Sequence, residues 1–392
     1  MKLYLKLIPL LLIPSLSWAE ESNGLAPEVP TLNAKDNLYA LEAKLPDLEK
    51  PYITGTPEDK KDGLVVGKLG VDGGDANAVM KFAEELAAPA KDEKEGNTDS
   101  LLICYKGKLI FESYYRRGRA NFPHYQMSIT KSYTALTVGR AMQLGLLKME
   151  DLDKPVIGFF KNLDVSKLAP GTDSITLAQA MQMTSGIRFP KENIAQFTKD
   201  RNALQGQGEI QTYLQNSAPI PPAPREFKYQ ESDPAIAMQV VDAVAPGGAQ
   251  EFILKEILTP LNIKQYQWEA GISGQPKSAA GSAFLSRDMI KFGSLIMNKG
   301  KWEGQQLIPE EYIARAITGG PVNPKYGFFW WNEDFKIGDK TYHGIQGRGA
   351  GGQFIFMFPE IDLVAVVTSH NKGMGNMLQN LPKQIIPAFV SK

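Results

Sequence analysis

The chain has 392 residues, 43% hydrophobic and 22% charged, a balance that belongs to globular proteins and not to disordered ones. Its 43 basic and 43 acidic residues cancel, which denies a nucleic acid or an anionic membrane the basic face it needs. A single cysteine rules out an intramolecular disulfide, and three scattered histidines offer no zinc-ligand spacing, so no metal or other cofactor is expected.

The N-terminus reads Met1-Lys2-Leu3-Tyr4-Leu5-Lys6, an apolar run from Leu7 to Leu16, then Ser17-Trp18-Ala19. Charged start, short apolar core and small residues at the last and third-last positions make a secretory leader, 1–19, cleaved after Ala19. The run is interrupted by Pro9 and Pro14 and is shorter than the roughly 20 residues that span a bilayer. An exported product, periplasmic or secreted, with no stable membrane insertion is expected. Removal of the leader leaves 41 basic against 43 acidic residues.

Residues 20–62 scatter five prolines among charges and read as an extended lead-in that wraps the domain. The rest, 63–392, reads as one domain. Leu101 to Tyr115 holds two β-type runs around Lys106-Gly107-Lys108, a hairpin, with Cys104 a buried, inert thiol. Ser128 opens a helix reaching about Leu147, apolar on most sides and so buried at the centre. Segments from Asp151 to about Asn298 are mainly helical, giving an α-rich subdomain over about 132–298. Strand patterns return at Tyr326–Trp331, Thr341–Gly347, Phe354–Phe358 and Leu363–Thr368, and a helix begins at Met377. The fold class is α/β (α+β): an antiparallel sheet built from both chain ends, flanking helices and an α-rich insertion.

Ser128-Ile129-Thr130-Lys131 carries the chemistry. On a helix, residues i and i+3 share a face, so the Lys131 amine meets the Ser128 hydroxyl within one turn. A serine hydroxyl needs a base to become a nucleophile, and burial lowers an amine's pKa towards that task. The helix N-terminus adds positive field where an acyl oxyanion develops. A second S-x-x-K, Ser369-His370-Asn371-Lys372, lies where a strand enters a loop, and in extended chain i and i+3 face apart. No serine sits in a G-x-S-x-G elbow. His124 either lines the pocket or is satisfied by backbone contacts just before the helix.

With its flanks, this segment resembles the β-lactamase-related serine hydrolases: class C β-lactamases, D-alanyl-D-alanine carboxypeptidases and 6-aminohexanoate-dimer hydrolases. The likeness runs from about Gly63 to Ala388. It rests on Met127 to Ser132, Leu152-Asp153-Lys154-Pro155-Val156, Ile175-Thr176-Leu177, Met183-Thr184-Ser185-Gly186, Pro260-Leu261-Asn262-Ile263, Ser286-Arg287-Asp288 and Gly352-Gln353. It implies that Tyr229, in Phe227-Lys228-Tyr229, enters the site to exchange protons with Lys131 and the leaving group. It also implies an oxyanion hole of two backbone N–H groups, from Ser128 and Ala350.

Two departures stand out. Glu231 occupies the place of an asparagine common in β-lactam-active relatives, and Gly347-Arg348-Gly349 stands where they carry K-T-G. Arg348 either holds a substrate carboxylate or is a solvated strand charge. Phe328-Phe329-Trp330-Trp331 either walls the pocket or alternates into the core, with one tryptophan, Trp331, at the rim. Glu231, Arg348, Gly349 and Trp331 are therefore the candidate substrate contacts. The resemblance implies hydrolysis of a small amide or ester through an acyl-enzyme, without a cofactor. The alternative is a protein acylated by β-lactams or cell-wall peptides, as enzyme or as a sensor that does not turn over.

Overall fold

The computed structural model describes residues 38–90, 92–194 and 200–390; the leader and the first part of the lead-in lie outside them. The end of the lead-in is more structured than an extended wrap. It forms helix α1 (Leu38–Glu42) and strand β1 (Tyr52–Thr54), and β1 pairs with the main sheet and so belongs to the domain. Strand β2 (Val65–Val66) and helix α2 (Ala76–Ala87) precede the hairpin of β3 (Thr98–Tyr105) and β4 (Lys108–Tyr114). Lys106 and Gly107, at φ 49 and 75, make the left-handed two-residue turn that matches the twist of paired strands.

Then come β5 (His124–Tyr125) and the central helix α3 (Ile129–Gln143), in which every residue but Arg140 and Gln143 is buried. The helix stops four residues short of the expected Leu147, because Gly145 turns left-handed at φ 72 and caps it. The insertion contributes α4 (Leu177–Met181), α5 (Gly208–Asn216) and α6 (Ser232–Val244), then β6 (Tyr266–Trp268) and β7 (Ser282–Phe284). These last two strands join β5 in a small sheet. Helices α7 (Ser286–Met297) and α8 (Glu310–Ile317) lead into β8 (Trp331–Ile337), β9 (Lys340–Gly349), β10 (Gln353–Phe358) and β11 (Leu363–Ser369), and α9 (Met377–Phe389) closes the chain.

The main sheet runs β1-β4-β3-β11-β10-β9-β8, with β2 also on β4, so strands from the two chain ends meet where β3 pairs with β11. Alternation along each strand sorts two cores. Leu101, Ile103, Phe354, Phe356, Phe358 and Val367 face α2 and α9, whereas Leu102, Cys104, Ile355, Met357, Val364 and Val366 face the helical side with α3 and α7. No helix among the described residues is long and apolar enough to cross a membrane.

The strand expected at Tyr326–Trp331 begins only at Trp331. Phe329 sits at φ 61 and Phe328 N–H donates to Ala316 O in α8, so helix ends and not a neighbouring strand satisfy this backbone. Phe328, Phe329 and Trp330 are buried in the core, and Trp331 alone is half-exposed.

The Ser286-Arg287-Asp288 fragment ties the layers together. Arg287, 2% exposed, pairs with Glu112 of β4 at 3.0 Å and with Asp62 at 3.0 Å, and donates to Glu58 O at 2.6 Å. Replacing Arg287 with alanine leaves the Glu112 carboxylate buried and unpaired, a loss of about 3–5 kcal/mol. Urea denaturation of Arg287→Ala is expected to show it; a loss below about 1 kcal/mol contradicts this role.

Candidate active site

The turn into α3 presents Ser128. Met127 is held left-handed at φ 48, and Ser128 follows as the N-cap residue, half-buried and open to solvent. The N–H groups of Ile129, Thr130 and Lys131 donate to Gln126 O, Met127 O and Ser128 O, which leaves the Ser128 N–H outside that ladder. The turn is pinned from below. Gln126 N–H donates to Ser282 O at 2.8 Å, Thr130 Oγ1 lies 2.8 Å from Ser282 Oγ, and Thr134 Oγ1 donates to Ser278 O at 3.0 Å.

The same 278–282 segment receives Lys131. Its Nζ lies 3.1 Å from Ser128 Oγ and 2.8 Å from Ala279 O, and the residue is 3% exposed. Burial lowers the amine's pKa from 10.5 to about 8, against a small opposing pull from the Glu231 carboxylate. Neither close partner is an anion, so burial prevails. At neutral pH roughly one amine in ten is uncharged, about three hundredfold more than for a free lysine.

Tyr229 closes the third side, with Lys131 Nζ 4.8 Å from its ring centroid. The residue is 40% exposed, yet burial about its hydroxyl raises the phenol pKa, and a hydrogen bond with Ser128 works against that rise. The phenol therefore keeps its proton at neutral pH. The loop that delivers Tyr229 is tied at both ends. Arg225 donates to Gln179 Oε1 and Ser174 Oγ, both at 2.6 Å. Gln230 donates at 2.5 Å to Asp233, a buried carboxylate that also accepts from Ser185 Oγ at 2.7 Å. Burial pushes Asp233 up to about 6 despite these donors.

Trp331 stands at the rim, its ring 5.8 Å from that of Tyr229 and 4.6 Å from that of Tyr326. Arg348 lies over the Trp331 ring at 4.9 Å, with Nε donating to Gln346 at 2.6 Å and Nη2 to Glu333 at 3.0 Å. Arg348 is thus half-buried, with Gln346 and Glu333 taking its Nε and Nη2. Strand β9 lies against the Ser128 turn. A Cβ on Gly349 would sit 2.4 Å from Gln126 O, so only glycine fits there, and Ala350 follows exposed in the turn after the strand. Below Lys131 opens a cleft of about 290 Å³ whose wall includes Ala279, Ala280 and Glu231.

A family model, Beta-lactamase, matches residues 83–385. The chain belongs to the beta-lactamase family. Solved structures of the same fold include a protein described as a 6-aminohexanoate-dimer hydrolase from Bacillus anthracis (18% identity, TM-score 0.62, 88% of this chain and 92% of that one). A class C beta-lactamase aligns at 13% identity, TM-score 0.61, over 81% of this chain and 96% of that one. A D-stereospecific amidohydrolase from Streptomyces aligns at 15% identity, TM-score 0.57, over 79% of this chain and 98% of that one. No curated protein matches the sequence.

In this member of the beta-lactamase family several side chains near the site have partners that no local sequence pattern announces. Asp233, Ser185 and Arg225 shape the Tyr229 loop, and Ala279 gives Lys131 its carbonyl, all through contacts between distant segments. His124 is not satisfied by backbone groups, as one expected reading had it: its Nδ1 pairs with Glu42 of α1 at 2.8 Å. Burial alone would lower the His124 pKa, but Glu42 and Asp99 outweigh it and the pKa is raised. Ligand atoms of Glu42, Asp99 and His124 lie within 4.8 Å of one another, a grouping that chain spacing does not reveal. These donors are taken up with each other and with His370, whose Nδ1 lies 2.9 Å from Asp99. In the second S-x-x-K, Ser369 is buried and Lys372 reaches outward to Glu93, so the two do not meet. Cys104 is buried, and burial raises its thiol to about 12.

Lys131 is expected to titrate far from other lysines. NMR of lysine labelled with ¹⁵N at Nζ should show one amine with a midpoint near 8. Glu231→Gln should move that midpoint lower, because the carboxylate stabilises the charged amine. A midpoint above 10 contradicts the burial described here.

Proposed function

We propose that the chain is a serine hydrolase acting on small amides or esters through an acyl-enzyme. The observation that carries this reading is the Lys131 amine 3.1 Å from the Ser128 hydroxyl, with its pKa brought to about 8. Neutral Lys131 takes the proton of Ser128 as Oγ attacks the carbonyl carbon. The backbone N–H groups of Ser128 and Ala350 hold the oxyanion, and support comes from the contact between Gly349 and Gln126, which sets Ala350 close to the nucleophile turn. Tyr229 passes a proton to the departing amine or alcohol as the C–N or C–O bond breaks. Lys131 returns the serine's proton to Tyr229; water then attacks the acyl-enzyme carbonyl and gives a proton to Lys131, which passes it to Ser128 Oγ as the ester C–O bond breaks and the acid leaves.

Two observations weigh against β-lactams and cell-wall peptides, whose carboxylate needs a cation. Arg348 is committed to Glu333, and Glu231 adds negative charge beside Lys131. Export through the leader at 1–19 belongs to the same proposal.

The test is covalent labelling with a fluorophosphonate, followed by peptide mapping. Label on Ser128 and its loss in Ser128→Ala are expected, with ester hydrolysis falling by about a thousandfold or more. Label elsewhere, or none on a folded protein, refutes the reading. Acylation should rise with pH through about 8, since only the neutral amine is a base, and the rise should come at lower pH in Glu231→Gln. A rate flat from pH 6 to 10 contradicts Lys131 as the base.

A further inference from the structure

Helix α1 belongs to the lead-in, yet its carboxylate reaches the residues that run into Ser128. Glu42 Oε1 lies 2.8 Å from His124 Nδ1, and Glu42 Oε2 accepts the Tyr125 N–H at 2.9 Å. The Tyr39 ring packs on that of Tyr125, with centroids 4.8 Å apart. Glu42 and His124 are both buried, so removing either leaves the other without its charge partner away from water. Asp99, the other carboxylate of this cluster, is held by His370 at 2.9 Å and by the Arg117 N–H at 3.1 Å.

His124 in turn contacts both sides of the oxyanion site. On the Ser128 side its carbonyl accepts from Gln126 Nε2 at 2.7 Å, and Gln126 Oε1 accepts from the Tyr133 hydroxyl at 3.1 Å. On the Ala350 side its ring hydrogen-bonds the Gln353 side chain. Gln353 is buried at the turn between β9 and β10, where Oε1 accepts the Ser369 N–H at 3.1 Å and Nε2 donates to Ala350 O at 3.3 Å. A Cβ on Gly349 would lie 2.4 Å from Gln126 O and 3.0 Å from Gln353 Cβ. The residue that leads into the Ala350 N–H is therefore wedged between two glutamines, and His124 holds both.

We infer that Glu42 and His124 are positioning residues: the lead-in fixes the His124 ring, and His124 sets the Ser128 and Ala350 N–H groups for one oxyanion. The inference rests on the reading of Ser128 as nucleophile for its effect on rate, and on geometry alone for the placement. Two N–H groups stabilise an oxyanion only when both aim at the same point, and a shift of about 1 Å in either forfeits much of the gain. The Lys131 amine has partners of its own, Ser128 Oγ and Ala279 O, so loss of Glu42 spares the base.

The test measures hydrolysis of p-nitrophenyl butyrate by Glu42→Gln, Glu42→Ala and His124→Gln. Acylation and deacylation both pass through the oxyanion, so kcat should fall about tenfold or more while KM changes less than about twofold. The Lys131 midpoint should stay near 8. Adding Glu42→Ala to His124→Gln should cost little more, because the two residues act along one path. A folded Glu42→Ala with kcat within about twofold of the unmodified protein overturns the inference, as does a fall in kcat that comes with a moved Lys131 midpoint. Should Glu42→Ala fail to fold, Glu42→Gln, which keeps the shape of the side chain, decides by the same criteria. Labelling of alanine with ¹⁵N reads the placement without turnover. The Ala350 amide resonance should shift in Glu42→Gln even if the protein cleaves no ester, in which case the hydrolase reading fails and the positioning stands; an unmoved resonance overturns the positioning.

Discussion

An amine kept from water beside a hydroxyl, with no anion against it, is the constraint on which the rest of the site depends. A lysine one turn from a serine is ordinary on any exposed helix, where the amine stays charged and cannot accept a proton. Here α3 is buried on nearly every side, and Lys131 points at Ser128 Oγ and a neutral carbonyl. The field of Glu231 reaches the amine from a distance and is too weak to reverse the effect of burial. Moving a carboxylate into contact with Nζ would restore the charge.

Much of the remaining architecture serves that environment. The helix can be buried all round because the sheet, closed by the pairing of β3 with β11, covers one side while the insertion covers the other. The 278–282 segment then meets the first two turns of α3 through Thr130, Lys131 and Thr134. Asp233, through Gln230, holds the loop that carries Tyr229. A cleft begins where this packing ends, at the residue whose carbonyl holds the amine.

The features legible in the sequence are the local ones. The Ser128 to Lys131 pair is a property of one helical turn, and alternating runs such as Phe354–Phe358 announce strands whichever neighbours they find. The both-ends sheet followed from strand chemistry at the two termini. Less was legible where distant segments decide the outcome. The bond from Phe328 to Ala316 turned a strand-like aromatic run into an irregular segment, and Arg348 found Glu333 and Trp331 across the β8–β9 pair. Glu42 lies far from His124 in the chain, so an ion pair between lead-in and site was invisible.

The central claim, that the buried Lys131 amine is the base for Ser128, is tested most directly by chemical rescue. Lys131→Ala should acylate with a fluorophosphonate at least a hundredfold more slowly, and small primary amines in solution should restore part of the rate in proportion to their unprotonated concentration. Acylation of Lys131→Ala at the unmodified protein's rate, with no response to added amine, would contradict it.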